Sequence, residues 1–151
     1  MKVVVPAGSN LIDAARWVGG SCWLELAAFQ RLSRQMATVG LDDAVRVALW
    51  SVRSHRDEMA SAWHRRLPEL REMPRSDFVL APTDGDRSLE GEDAPDSVID
   101  TVTAMLAALD ERYAAHQLVA VGPADGPVAA TLVRARQLLA EDVDALGAFS
   151  A

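Results

Sequence analysis

Residues 10–40 read NLIDAARWVGGSCWLELAAFQRLSRQMATVG, and this stretch decides the fold. Its apolar residues recur at alternating steps of three and four, as in a helix that buries one face in a bundle. Asn10 is a favourable N-cap, Asp13 suits the first turn, and Gly40 can adopt the positive φ at which many helices end. The predicted inward line of this first helix is Ala15, Val18, Cys22, Glu25, Phe29, Leu32 and Met36.

Three further segments carry helical patterns of similar length. The second helix begins at the capping residue Asp42, and the third begins near Asp93 and stops at Gly122. We assign helices to residues 10–39, 42–67, 94–121 and 125–148. The connection at residues 68–93 is rich in proline and acidic residues, so we predict a solvated acidic crossover that the apolar segment 77–82 pins to the bundle. The sequence therefore predicts one all-α domain over residues 1–151, built as a four-helix bundle.

The composition narrows the possible partners and the compartment. The chain has 151 residues, half of them apolar, and a formal net charge of -7. No stretch is strongly basic, so we expect neither nucleic acid nor an anionic membrane surface as a partner. Cys22 is the only cysteine, and no stretch approaches the ~20 apolar residues of a membrane-spanning helix. We therefore expect a cytoplasmic protein.

Each predicted inward line is interrupted by a residue that can carry charge. These are Glu25, His55, His116 and Asp142, one on each helix. A buried charge is costly unless it is paired or bound to a metal. Glu25 and His55 stand 15 residues before and after the turn near residue 40, so we expect them to meet at mid-height. They would form either a hydrogen-bonded ion pair that fixes helix register or part of a metal site.

Two short turns separated by a long crossover resemble the ferritin-like bundle, over residues 10–148. In ferritin-like diiron proteins each half of the bundle supplies a glutamate from one helix and a Glu-x-x-His pair from the next. Glu25 matches the first glutamate and His55 matches the histidine, but Val52 stands where the bridging carboxylate is expected. The resemblance thus implies a degenerate member. Its candidate ligands for iron or manganese are Glu25, His55, Glu58, Glu111 and Asp142.

The first hairpin is also similar to that of actinobacterial ferritin-like proteins without an assigned activity. The similarity lies in Trp23, Glu25, Phe29 and His55, and in the segment WHRRLP at residues 63–68. All four tryptophans fall in this hairpin. Because Trp and Arg are frequent anchors at interfaces, we predict a contact surface there, with the alternative that Trp50 simply lies along the surface. Its candidate residues are Trp23, Arg46, Trp50, Arg53 and Trp63.

These patterns support three functional hypotheses. The first is a non-catalytic or degenerate ferritin-like bundle, without a cofactor, that acts as a homodimer or as a subunit of a complex. The second is an iron- or manganese-dependent oxidase or hydroxylase with a carboxylate and histidine site inside the bundle. The third is a bundle that holds a small apolar ligand between its helices.

Overall fold

The computed structural model describes residues 10–82 and 96–150, and these residues form an all-helical bundle. Its four α-helices are α1 (Leu11–Met36), α2 (Asp43–Arg66), α3 (Val98–Val119) and α4 (Gly126–Gly147). A short 3₁₀ helix, η1 (Arg75–Phe78), lies between α2 and α3 in the chain. The all-α prediction is confirmed. No helix within the described ranges is both long enough and apolar enough to cross a bilayer.

The helix starts of the first hairpin follow the capping signals in the sequence. The side chain of Asn10 accepts a hydrogen bond from the backbone N–H of Asp13 at 2.9 Å. The side chain of Asp42 accepts one from the N–H of Ala44 at 2.8 Å. Each contact satisfies a backbone donor that the first turn of a helix leaves free. Gly40 has a φ of 84° in the turn between the two helices, where a Cβ would be strained.

Two helix boundaries differ from the predicted ones by three residues or more. α1 ends at Met36, three residues early, because Ala37 and Thr38 donate to carbonyls three residues back and thereby tighten the chain before Gly40. α3 begins at Val98 rather than near residue 94, after a turn at residues 96 and 97. The predicted cap Asp93 and most of the acids predicted for the crossover lie outside the described residues.

Pairs of side chains fix the relative directions of the helices. Arg56 of α2 contacts residue 142 of α4, whereas Arg66 contacts Thr131, so these two helices run antiparallel. α1 and α2 also run antiparallel, since Cys22 reaches the carbonyl of Ala60 while Ser33 reaches Arg53. The short turn after α3 reverses the chain into α4. It follows that α2 and α3 point in the same direction.

The segment that contains η1 is attached to the core, as predicted. Phe78 is 5% exposed and belongs to the hydrophobic core, and its carbonyl oxygen lies against α1 at Gly19. A Cβ at Gly19 would stand 1.8 Å from that oxygen, so only glycine permits this approach. The attachment places residues 73–82 beside the N-terminal half of α1, where they bound a cavity.

Candidate functional site

The buried polar site of the bundle is centred on Arg56 of α2. This side chain is fully buried. Its Nη1 donates to Glu25 Oε1 on α1 at 3.1 Å, and its Nη2 donates to Asp142 Oδ2 on α4 at 3.2 Å. One guanidinium therefore joins two interior carboxylates on two different helices. The sequence interpretation had identified both carboxylates but not the arginine.

Further hydrogen bonds extend this pair of contacts across the bundle. On one side, His55 Nδ1 lies 2.6 Å from Asp142 Oδ1, and the His55 side chain is 25% exposed at the rim. On the other side, the hydroxyl of Tyr113 donates to Glu25 Oε1 at 2.5 Å and accepts from Trp63 Nε1 at 3.1 Å. All four helices thus contribute to one connected network, which we call the Arg56 network. It consists of Glu25, His55, Arg56, Trp63, Tyr113 and Asp142.

Burial changes the titration of the acids in this network. It raises the pKa of Glu25, and the contacts with Arg56 and Tyr113 oppose the rise. Burial also raises the pKa of Asp142, against the opposing hydrogen bond from His55 and the charge of Arg56. The pKa of Tyr113 lies well above its usual value for the same reason. The two carboxylates therefore depend on the Arg56 charge for their stability inside the bundle.

The predicted meeting of Glu25 with His55 is not what the structure contains. Glu25 contacts Arg56 and Tyr113, while His55 contacts Asp142 on another helix. The cause is the rotation of α2. Its buried face runs through Leu49, Val52, Arg56, Met59 and Trp63, instead of the predicted Val45, Ala48, Val52, His55, Met59 and Ala62. The observed face also alternates steps of three and four, and it buries a leucine and a tryptophan where the predicted one offered alanines.

Two of the five candidate metal ligands lie away from the network. Glu58 is exposed and pairs with Arg134 at 3.2 Å, and Glu111 is exposed on α3. Both lie on outward faces of their helices, so the structure does not bring them together with the other three candidate ligands. The structure does bring Glu25, His55 and Asp142 into one network, with Arg56 as the link between the two carboxylates.

The donor set does not fit a metal ion. Within residues 10–82 and 96–150, no group of three or more His, Cys, Asp or Glu side chains is arranged to hold one. The space between Glu25 and Asp142 is filled by the guanidinium of Arg56, which already bonds to an oxygen of each. A cation between two interior carboxylates is thus supplied by the chain itself.

The five candidate interface residues differ in exposure. Trp50 is 57% exposed on the outer face of α2, whereas Trp23 is partly buried against the core. Trp63 is fully buried, which corrects its place in the predicted surface: its indole is held by Tyr113 inside the bundle. Arg46 bonds to Asp43 and to the carbonyl of Met36, and the guanidinium of Arg53 lies 4.9 Å from the centre of the Phe29 ring.

A second buried polar group, His116, lies beside the Arg56 network. Its imidazole stacks against Trp17 and Trp63, with ring centres 4.9 and 5.9 Å away. Burial, together with the nearby charge of Arg112, lowers the pKa of His116 to about 4. Its Nδ1 has no hydrogen-bond partner in the described part of the chain. His116 is therefore a neutral aromatic core residue at physiological pH.

Comparison with models of known families, with curated proteins and with solved structures finds no match for this chain. Functional conclusions therefore depend on the contacts and charges of its own residues.

Proposed function

We propose that this chain is a non-catalytic, degenerate ferritin-like bundle that acts as a homodimer or as a subunit of a complex, with the first hairpin as its contact surface. The observation that carries the proposal is the position of Arg56. Its guanidinium fills the space between Glu25 and Asp142, where a metal-dependent enzyme of this architecture would need an ion. The interior then serves to hold four helices in register rather than to bind and activate a substrate.

The outer face of the hairpin supports the contact part of the proposal. Val47 and Trp50 are 69% and 57% exposed, and they lie three residues apart on one side of α2. Leu26 of α1 is 42% exposed. Arg53 is held on Phe29 and by a hydrogen bond to Ser33, so its guanidinium is already positioned before any partner arrives. An exposed Trp near a preorganised Arg is typical of the residues that dominate binding energy at interfaces.

The oligomeric state tests this proposal. Light scattering coupled to size exclusion at high micromolar concentration is expected to show a dimer. Trp50→Ala is expected to weaken it by about thirtyfold or more, the effect of losing an interface anchor worth about 2 kcal/mol. The matched control is Leu118→Ala, because Leu118 is 80% exposed on α3 and should leave the dimer unchanged. A strictly monomeric protein with no partner retained from cells would contradict the proposal.

The alternative hypothesis, an iron- or manganese-dependent oxidase or hydroxylase, makes a different prediction. It requires metal in the freshly purified chain, with carboxylate and imidazole ligands. Elemental analysis that found iron or manganese close to one equivalent would favour this alternative and would show that Arg56 moves aside. A trace amount would leave the non-catalytic proposal in place.

A further inference from the structure

A cavity of about 590 Å³ opens between the N-terminal half of α1, the segment 73–82 and α3. Its size is within the range of small-molecule sites, about 300–1,000 Å³. The lining is more apolar than polar, and its apolar side chains include Ile12, Trp17, Phe78, Leu80 and Pro82. This cavity is separate from the Arg56 network and from the outer face of α2.

Arg112 enters this cavity, and its partners among the described residues are neutral. Arg112 Nε donates to the hydroxyl of Ser21 at 3.0 Å, and its Nη2 donates to the carbonyl of Trp17 at 2.9 Å. The guanidinium carbon lies 4.9 Å from the centre of the Trp17 ring. In the described ranges, no carboxylate pairs with Arg112, although a guanidinium stays charged in proteins. Burial lowers the pKa of Arg112, which indicates a charge that is only partly solvated.

Two glycines in the middle of α1 make this arrangement possible. Glycine is unfavourable inside a helix, so a Gly-Gly pair needs a reason in the packing. At Gly20, a Cβ would stand 2.6 Å from Arg112 Nη2. At Gly19, it would collide with the carbonyl of Phe78. Gly19 leaves room for the segment 73–82, which forms one wall, and Gly20 leaves room for the Arg112 guanidinium.

Asp13, Arg16 and Asp77 also line the cavity, but neither of these carboxylates bonds to Arg112. Asp13 lies near Arg16, at 3.8 Å, and is hydrogen-bonded to Asn10. Asp77 is exposed to solvent. A planar guanidinium with free donor capacity and apolar walls around it is the arrangement that recognises a carboxylate on an apolar body.

We propose that this cavity binds a small monocarboxylate with an apolar body, whose carboxylate pairs with Arg112 while the body contacts Phe78 and Leu80. Such a ligand supplies a counter-ion that Arg112 does not find among the described residues, and it covers the apolar wall at the same time. The site is independent of any role of the chain as a dimer or subunit.

Isothermal titration of the full chain with 2-naphthoate and with its neutral counterpart 2-naphthylmethanol tests the proposal. The acid is expected to bind one per chain and at least about tenfold more tightly than the alcohol, since a charge-assisted hydrogen bond is present only for the acid. Arg112→Gln should lower the affinity for the acid to that for the alcohol. Arg134→Gln is the matched control, because Arg134 is an exposed arginine on α4 paired with Glu58.

A second variant keeps the test decisive if Arg112→Gln does not fold. Ala81 is an exposed residue of the cavity wall, so Ala81→Trp should fill the cavity without disturbing the core and should abolish binding of both compounds. Equal affinities for acid and alcohol, tight binding of the acid by Arg112→Gln or by Ala81→Trp, or no saturable binding by the wild-type chain would each overturn the proposal.

Discussion

Arg56 and Arg112, two arginines at helix contacts, have different surroundings. Arg56 is fully buried and bonds to two carboxylates on two neighbouring helices. Arg112 is partly buried, bonds to a hydroxyl and a backbone carbonyl, and borders a cavity. Both lie at helix contacts in the same bundle, so the main difference is whether a carboxylate among the described residues pairs with the arginine.

This difference separates a structural charge from one that is open to a ligand. A buried ion pair contributes little net stability, but the removal of one partner is costly because the other charge stays buried. The buried carboxylates of Glu25 and Asp142 require a cation beside them, and Arg56 provides it. Within residues 10–82 and 96–150 no carboxylate pairs with Arg112, so its charge can attract an anion. Each of the following predictions alters one side of this contrast.

The largest effect is expected from Arg56→Met. This change leaves the buried carboxylates of Glu25 and Asp142 without their common cation. The free energy of unfolding should fall by about 3–5 kcal/mol, as for other broken buried ion pairs. Urea denaturation followed by circular dichroism measures the loss.

A combined variant separates the loss of charge balance from the loss of packing. In Glu25→Leu/Arg56→Met/Asp142→Leu the whole charged group is replaced by apolar side chains, which is often neutral or stabilising. We therefore expect the triple variant to recover most of the stability that the single variant loses. A triple variant no more stable than Arg56→Met would refute the charge-balance explanation, and so would a single variant within about 1 kcal/mol of the wild type.

The helices and three of the buried polar residues, Glu25, His116 and Asp142, could be predicted from local patterns. Asn10 and Asp42 cap their helices as their residue types suggest, and Gly40 takes a positive φ. Glu25 and Asp142 lie on apolar lines of regular spacing, and both are buried. In these cases a short-range signal determines the outcome: a cap, a turn or the period of a helix.

Arg56 could not be identified in this way. The rule that a charged residue faces solvent assigns Arg56 to the surface and turns α2 by about one residue, which brings His55 inward. The actual face buries Leu49 and Trp63, and it tolerates Arg56 because Glu25 and Asp142, 31 and 86 residues away in the chain, accept its hydrogen bonds. Partners so distant are visible only after the helices are assembled. For the Arg112 cavity, the only local signal was the Gly-Gly pair in α1.

The second largest effect is expected from pH, acting through His116. Its pKa is about 4 in the folded chain against 6.5 for the free side chain, so between these values the unfolded chain binds more protons. The contribution of His116 to the free energy of unfolding is complete above pH 6.5 and is lost as the pH falls toward 4. The expected loss between pH 7 and pH 4.5 is about 2–3 kcal/mol.

The variant His116→Phe isolates this contribution, because it keeps a ring beside Trp17 and Trp63 but cannot take up a proton. Between pH 7 and pH 4.5 its free energy of unfolding should fall by about 2–3 kcal/mol less than that of the wild type. The raised pKa values of Glu25 and Asp142 act in the opposite direction but are common to both proteins. The nearby Arg112 charge helps to lower the pKa of His116, so Arg112→Gln should reduce the pH effect. Parallel pH profiles for the wild type and His116→Phe would contradict this assignment.

The smallest effect concerns the two glycines that shape the Arg112 cavity. A Cβ at residue 19 meets a backbone carbonyl at 1.8 Å, whereas a Cβ at residue 20 meets the flexible end of Arg112 at 2.6 Å. Backbone cannot move aside as cheaply as a side-chain end. Gly19→Ala should therefore lower the free energy of unfolding by about 1–3 kcal/mol, as overpacking does, despite its better helix propensity.

The neighbouring variant Gly20→Ala provides the comparison within the same helix turn. Its helix propensity rises by about 1 kcal/mol, which offsets the cost of displacing Arg112, so we expect little change in the free energy of unfolding. It should instead weaken the binding of 2-naphthoate, because the guanidinium is pushed from its position beside Trp17. Gly147→Ala serves as the reference, since a Cβ there meets nothing within 4 Å. If Gly19→Ala and Gly20→Ala lowered the free energy of unfolding equally, the effect of the Phe78 carbonyl could not be separated from that of the Arg112 guanidinium. The contrast between the two arginines would then rest on Arg56 alone.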